Sequence, residues 1–220
     1  MSKSRSIPRP TPAPIYSAED PSALERAVEL LRQGGLVVFP TDTVYGVGAD
    51  ARLPDAVMDI YLAKQRPTEK AIPLLVADLT DALPFIAGVP EEALALIEAF
   101  WPGGLTLVLP IAKGVPAVIS PGPGIAVRMP AHPTPLELIR RLGAPLAATS
   151  ANLSGHPDPL EVREAVNQLG RRVDLALDGG RTPGTLPSTV VDLTKRPPRV
   201  LRAGPISVKE LRRLLPDLES

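Results

Sequence analysis

The sequence lacks cysteine and contains few aromatic side chains. None of its 220 residues is a cysteine, which excludes disulfides and thiolate metal sites. Its two histidines, His132 and His156, lie far apart in proline-rich segments, which argues against a zinc or iron site and against catalysis by histidine. Aromatic residues make up 3% of the chain, so we expect a core built from Leu, Val, Ile and Ala.

Neither sign of charge is in excess, and no apolar run is long. The chain has 24 basic and 24 acidic residues, for a net charge of +0. No overall field therefore draws it to nucleic acid or membrane, and an anion site requires a local concentration of Lys and Arg. No apolar run approaches the roughly 20 residues of a membrane-spanning helix. The absence of disulfides is compatible with a reducing compartment.

The remaining composition is that of a globular protein with unusually many prolines. Hydrophobic residues make up 44% and charged residues 22%, and 28 residues are proline. Residues 1–14 are basic and proline-rich with no apolar stretch behind them, so we predict a disordered tail and not a secretion signal. The length suits a single folded domain over residues 15–220.

Helix and strand signals are mixed along the whole chain. Predicted helices cover residues 21–33, 54–63, 90–100, 134–142 and 158–169, with a last helix after Ser207. Predicted strands cover residues 36–39, 72–76, 105–109, 125–129, 145–148, 173–177, 189–193 and 199–202. This pattern predicts an α/β fold, with a twisted mixed sheet and helices on its faces.

Three local details follow from cap and turn chemistry. Two glycines and a leading proline in residues 40–51 predict a loop. Thr134 and Glu137 form a capping-box pattern at the start of one helix. Asp158, followed by proline, is the predicted cap of another.

Familiar phosphate-binding motifs are missing or misplaced. The sequence contains no P-loop pattern and no G-x-S-x-G nucleophile elbow. Residues 46–51 match the loose dinucleotide pattern G-x-G-x-x-A, but the predicted strand ends near Pro40. The expected acidic residue would also fall in the basic segment 64–70. A nicotinamide cofactor is therefore not favoured.

Two segments could bind anions or polar ligands. Residues 40–48 place Thr41, Thr43 and other polar side chains beside glycines, where α/β proteins bind ligands. A plain turn that satisfies its own backbone explains them equally well. Lys64, Arg66 and Lys70 concentrate positive charge suited to phosphate, although a solvated basic turn is the simpler explanation when they are taken alone.

Isolated polar residues on apolar strands are the other candidates. Arg128 lies in an apolar strand, where a charge needs a partner or a ligand carboxylate unless it is on an edge facing water. Ser150 and Asn152 can share one face of extended chain and suit phosphate or ribose, or they form a turn. Ser188 and Arg202 are weak signals individually.

Taken together, seven segments form an ordered pattern between about residues 18 and 215. They are PTDTVYG at 40–46, K-x-R-P at 64–67, WPG at 101–103, AVRMP at 126–130, SANLSG at 150–155, STV at 188–190 and L-R-x-G at 201–204. This pattern closely resembles the YrdC-like family, the L-threonylcarbamoyladenylate synthases. The chain resembles the short form, without an extra C-terminal domain.

The resemblance implies a reaction, its substrates and a fold with a concave, basic cleft. L-threonine and bicarbonate or CO2 give N-carboxythreonine, whose carboxylate attacks the α-phosphate of ATP and releases pyrophosphate. The product, threonylcarbamoyl-AMP, supplies the group that a separate tRNA threonylcarbamoyltransferase complex places on an adenosine beside the anticodon. Mg²⁺ is expected to arrive with ATP, no protein-bound transition metal is expected, and the location is expected to be cytoplasmic.

The resemblance also implies residue roles. The threonine site is expected to include Thr41, Thr43, Arg128, Ala148 and Ser188. The ATP site is expected to include Lys64, Arg66, Lys70, Gly124, Ser150, Asn152 and Arg202. Lys64 and Arg66 are the expected catalytic residues, and Ala148 and Gly124 can contribute only backbone; no metal ligand can be assigned.

One departure from the family and two alternative functions stay open. Residues 157–160 read PDPL where many relatives carry a serine and a threonine, which puts a nucleotide contact there in doubt. A module of this fold could instead bind RNA weakly without adenylation, although few aromatics are available to stack on bases. A carbamoyl-AMP-forming domain of hydrogenase maturation is the third hypothesis, but those chains are longer and contain zinc-finger-like cysteines.

Overall fold

The computed structural model describes residues 11–184 and 186–219. These residues contain six α-helices: α1 (Pro21–Arg32), α2 (Pro54–Lys64), α3 (Glu91–Phe100), α4 (Pro133–Leu142), α5 (Val162–Leu169) and α6 (Val208–Leu211). They also contain ten strands: β1 (Ile15–Ser17), β2 (Val37–Phe39), β3 (Gly46–Asp50), β4 (Leu74–Leu75), β5 (Leu105–Pro110), β6 (Gly124–Arg128), β7 (Leu146–Ser150), β8 (Leu175–Asp178), β9 (Thr189–Asp192) and β10 (Arg199–Arg202).

All ten strands form one mixed sheet in the order β1-β8-β2-β3-β7-β4-β6-β5-β9-β10. The β1–β8, β2–β8, β4–β6 and β5–β9 pairs are parallel and the other pairs are antiparallel. The predicted single α/β domain with a mixed sheet is confirmed. Within the described residues, no helix has both the length and the apolarity needed to cross a membrane.

Alternation along the strands gives the sheet two buried faces. In β2, Val37 and Phe39 join a core with the apolar residues of α1 and α4, whereas Val38 joins the core on the other face. That second core receives buried side chains from α2, α3, α5 and α6. Helices therefore flank both faces of the sheet, as predicted.

The predicted loop at residues 40–51 is wrong in its second half, because β3 is a regular strand paired with β2 and β7. Its two glycines are needed by packing and do not mark a turn. A Cβ atom on Gly46 or Gly48 would lie 3.2 or 3.0 Å from the ring of Phe39, which packs across the neighbouring strand. Since residues 46–51 are largely strand, they cannot form the phosphate-binding turn of a dinucleotide fold.

Two predicted helix starts are also wrong, while two others are confirmed. His132 caps α4, its Nδ1 accepting from the backbone N–H of Thr134 at 3.2 Å. Helix α5 begins after Glu161, which forms a capping box with Glu164, so Asp158 lies outside the helix. The predicted starts of α1 and α6 are confirmed, and Asp20 and Ser207 cap these two helices.

The predicted tail falls mostly outside the described residues, which start at residue 11. Its last two residues pack on the sheet. Ala13 is buried, and the Pro14 carbonyl accepts a hydrogen bond of 2.9 Å from the N–H of Ala176 on β8. The packed chain therefore begins slightly before the predicted boundary at residue 15.

Candidate active site

A cavity of about 170 Å³ opens on the sheet face that also carries α1 and α4. Strands β5, β6 and β7 bury Leu107, Val127 and Ala147 in the core of the opposite face. Their alternate residues point the other way, which delivers polar side chains to the cavity. The predicted site residues that line it are Thr41, Thr43, Arg128, Ala148, Ser150, Ser188 and Arg202.

Arg128 is the buried cation of this cavity, with 8% of the residue exposed. Its Nη2 donates to Asp42 Oδ2 at 2.6 Å, and its Nε donates to the carbonyl of Gly103 at 2.9 Å. Strand β6 lies between β4 and β5, so the alternative of an edge arginine facing water is wrong. The remaining guanidinium N–H groups have no protein partner within the described residues, and Arg128 lines the cavity, so they can bind a ligand carboxylate.

The sequence predicts only that Asp42 belongs to a polar loop, and the structure makes it the counter-ion of Arg128. Its second oxygen, Oδ1, is buried and has no hydrogen-bond partner among the described residues. The negative charge of Asp42 is therefore compensated chiefly by the Arg128 guanidinium. Removing either partner would leave a buried charge uncompensated.

Thr41 and Thr43 stabilise their own turn and also line the cavity, so the two interpretations of this loop both hold. The Thr41 hydroxyl donates to the Val44 carbonyl at 2.6 Å and accepts from the Thr43 backbone N–H at 3.1 Å. Because that donation uses its only proton, the 3.1 Å contact between the two hydroxyls has Thr43 as donor. The turn thus satisfies itself, while the Thr43 oxygen keeps lone pairs for a ligand.

Ser188 connects the amino-acid and nucleotide residues expected from the sequence. Arg202 donates through Nε to the Ser188 carbonyl and through Nη2 to the Ser188 Oγ, both at 3.0 Å. Burial lowers the pKa of the Arg202 guanidinium, and repulsion by Arg128 adds to this effect. Two guanidinium groups therefore act on one cavity, and Arg202, which forms no salt bridge among the described residues, is available to bind an anion.

Lys64 is buried to 1% exposure behind the end of β7 and does not line the cavity. Its Nζ donates to the carbonyls of Ser150 and Asn152 and to Asn152 Oδ1. Burial lowers the pKa of Lys64 to about 8, with a further contribution from Arg66. Lys64 and Asn152 thus hold in place the segment that presents Ser150.

Three other expected ATP-site residues are not brought into the cavity lining. Arg66 is half-buried and donates to the carbonyls of Lys70 and Ala71 at 3.2 and 3.0 Å, so it fastens its own loop. Lys70 is exposed. Gly124 lies at the opposite end of β6 from Arg128, and its carbonyl accepts a hydrogen bond from Ser120.

Thr106 and Asp158 line the cavity but are not among the site residues expected from the sequence. Thr106 is buried in β5, and its hydroxyl lies 2.7 Å from that of Ser188. A single polar residue alternating with leucines in residues 105–109 was the available signal. Asp158, expected to cap a helix, places the only carboxylate in the cavity lining among the described residues.

Within residues 11–184 and 186–219, no group of three or more His, Cys, Asp or Glu side chains is placed to hold a metal ion.

A comparison with protein-family models finds a match over most of the chain. The Sua5, YciO and YrdC family model, which carries the description telomere recombination, matches residues 29–204. The chain belongs to this family.

Comparison with individual proteins indicates one class of enzyme within this family. The threonylcarbamoyl-AMP synthase of Pyrococcus abyssi is 41% identical over 193 residues, which cover 87% of this chain and 57% of the relative. A putative threonylcarbamoyl-AMP synthase of Mycobacterium tuberculosis is 40% identical over 205 residues, covering 91% and 94%. The chain therefore spans little more than half the length of the first relative and almost all of the second.

Solved structures show the same similarity. The crystal structure of P. abyssi Sua5 complexed with L-threonine has a TM-score of 0.85 and 40% identity, covering 89% of this chain and 58% of that one. The crystal structure of E. coli YciO has a TM-score of 0.79 and 30% identity, covering 90% and 97%.

Proposed function

We propose that this protein is an L-threonylcarbamoyladenylate synthase, which makes threonylcarbamoyl-AMP and pyrophosphate from L-threonine, bicarbonate or CO2, and ATP. The observation that carries the proposal is Arg128. It is a buried guanidinium, anchored by Asp42 and Gly103, that lines the same cavity as Ser150 and Arg202. A carboxylate site and a phosphate site thereby share one cavity, which adenylation requires.

On the amino-acid side, Arg128 binds the α-carboxylate of threonine through its remaining N–H groups. The rest of the threonine molecule contacts hydroxyl oxygens of Thr43, Ser188 and the turn around Thr41. Ala148 contributes a small apolar surface and backbone. In the reaction, CO2 adds to the threonine nitrogen, and an oxygen of the resulting carbamate attacks the α-phosphorus of ATP while pyrophosphate leaves.

On the nucleotide side, Arg202 and Ser150 bind phosphate or ribose oxygens directly. Lys64 and Asn152 act mainly by holding the Ser150 segment, as their hydrogen bonds support. Arg66 contributes positive charge beside it. Lys70 and Gly124 keep only their assignment by family resemblance, since neither lines the cavity. Adenylation by this set depends on placement and charge neutralisation and needs no strong protein base.

Mg²⁺ belongs to the proposal as part of the MgATP substrate. Among the described residues that line the cavity, Asp158 carries the one carboxylate. One carboxylate with substrate phosphates and water is a usual environment for Mg²⁺, so the residues present fit an ion that arrives with ATP.

The cellular role follows from the same proposal. The product supplies the threonylcarbamoyl group for an adenosine next to the anticodon of tRNA, and a separate tRNA threonylcarbamoyltransferase complex in the cytoplasm carries out the transfer.

The test is pyrophosphate release from MgATP by the purified protein, with threonine and bicarbonate each omitted in turn. We expect release only when all three substrates are present, with carbon from labelled bicarbonate recovered in a product of the mass of threonylcarbamoyl-AMP. Arg128→Gln should abolish release, and the exposed Arg163→Gln should not change it. Release that ignores threonine, or equal activity of the two variants, would overturn the proposal.

A further inference from the structure

Two buried hydroxyls meet on one wall of the cavity. Thr106 Oγ1 and Ser188 Oγ are 2.7 Å apart, and both residues are buried while lining the cavity. The Ser188 oxygen also accepts from Arg202 Nη2 at 3.0 Å. Thr106 makes no other side-chain hydrogen bond among the described residues, so its hydroxyl serves this contact alone.

Counting protons shows what the pair can offer to a ligand. Each hydroxyl has one proton and two lone pairs, and one proton is used between them. If Thr106 donates, both Ser188 lone pairs are occupied and the Ser188 proton is available to the cavity. If Ser188 donates, the Thr106 proton is available instead. In both arrangements the wall presents one donor and at least one acceptor.

A ligand hydroxyl matches this wall because it can donate and accept at once. A methyl group in the same position would leave buried polar groups unpaired, which weakens binding. Sites built to hydrogen-bond a substrate hydroxyl therefore discriminate strongly against analogues that lack it.

We propose that Thr106 is a positioning residue that fixes the Ser188 hydroxyl and thereby makes the cavity selective for an amino acid with a β-hydroxyl group. This inference rests on the proposed function and adds the residue that sets its specificity. A purely structural role on β5 would be filled as well by valine, which has the same shape and suits a strand.

The test compares Thr106→Val with the conservative Thr106→Ser, using L-threonine and its methyl isostere L-valine in calorimetric titrations. We expect Thr106→Val to weaken L-threonine binding about 10- to 100-fold. Binding of L-valine should change less than about twofold, so that discrimination falls by the same factor as threonine affinity. Thr106→Ser should restore most of the affinity. Equal weakening of both ligands, no weakening of either, or failure of the serine variant to recover would overturn the inference.

Two controls separate this inference from the proposed function. Thermal unfolding of Thr106→Val should stay near that of the unmodified protein, and its affinity for a non-hydrolysable ATP analogue should be unchanged. If the unmodified protein neither binds L-threonine nor releases pyrophosphate, the proposed function fails. If it does both and Thr106→Val discriminates as well as the unmodified protein, only the role of Thr106 fails.

Discussion

The roles of single residues in this protein depend on partners that are distant in sequence. Arg128 stands alone in an apolar strand, yet its side chain joins a loop carboxylate 86 positions earlier and a carbonyl 25 positions earlier. These two bonds orient the guanidinium before any ligand arrives. A preorganised cation binds a carboxylate without the cost of ordering a flexible side chain.

Replacing Arg128 with glutamine should weaken L-threonine binding about 100-fold, because a charge-assisted pair is lost and Asp42 is left buried without its counter-ion. Calorimetric titration measures the affinity. The double variant Arg128→Gln, Asp42→Asn should be more stable to unfolding than Arg128→Gln alone, since it removes the unpaired charge, but it should not regain threonine affinity. Recovery of affinity in the double variant would contradict direct binding by Arg128.

Lys64 should leave a signature in the pH dependence of stability. Burial lowers its pKa from 10.5 to about 8 in the folded protein. Between these values the unfolded chain holds the proton and the folded chain does not, so the free energy of unfolding should gain a contribution that rises with pH, by at most about 3 kcal/mol. Below pH 8 both states are protonated, and this contribution is absent.

Urea unfolding of the unmodified protein and of Lys64→Met, repeated from pH 7 to 10.5, measures that contribution as a difference. In this difference, the pH-dependent contributions of groups that are common to both proteins cancel. A difference that stays flat with pH would contradict the lowered pKa.

At the scale of elements, hydrophobic pattern and cap chemistry predict most segments. Buried apolar runs locate β2, β5 and β6, and Asp20 and Ser207 mark two helix starts. β3 is missed because its glycines are required by the ring of Phe39 on the paired strand, a contact that no local pattern reveals. The start of α5 is predicted wrongly because the Glu161–Glu164 capping box, and not Asp158, caps this helix.

Among the residues expected in the cavity, some are predicted correctly and others are not. Most of its expected residues come together, because the ordered motifs of a family identify them even where each is weak alone. Proximity is harder to predict for Lys64 and Asn152, which lie behind Ser150, and for Gly124, which lies at the other end of β6. Whether a side chain enters the cavity or supports it depends on helix ends and strand register, which sequence patterns locate only to within a few residues.

The turn after β10 should be intolerant of any side chain at Gly204. A Cβ there would overlap the Pro187 carbonyl and the Thr189 backbone nitrogen, on both sides of Ser188. Gly204→Ala should therefore lower the melting temperature and weaken L-threonine binding at least 10-fold, because backbone contacts cannot give way as side chains do.

Gly122→Ala is the matched control for that experiment. A Cβ at Gly122 meets nothing within 4 Å, and its φ is not positive. Differential scanning calorimetry and titration with L-threonine should find it within about 0.5 kcal/mol of the unmodified protein. Equal behaviour of the two alanine variants would contradict the crowding at Gly204.

The whole molecule is neutral overall, and its two cavity arginines are accompanied by the carboxylates of Asp42 and Asp158. Arg128 and Arg202 face one cavity, whereas the 24 basic and 24 acidic residues of the chain cancel. A small anionic substrate responds to the local field inside a cleft, but a long polyanion responds to the surface as a whole. The charge distribution therefore favours nucleotide binding over RNA binding as the main activity.

This difference predicts weak RNA binding with little dependence on salt. Each phosphate that a protein neutralises contributes about −0.7 to −0.9 to the slope of log affinity against log salt concentration. For a tRNA anticodon stem-loop we expect a slope no steeper than about −3, since a balanced surface can engage only a few phosphates at once. Fluorescence anisotropy between 50 and 300 mM salt measures it, with pyrophosphate release assayed on the same preparation. A slope of about −6 or steeper in a protein that releases no pyrophosphate would favour an RNA-binding module instead.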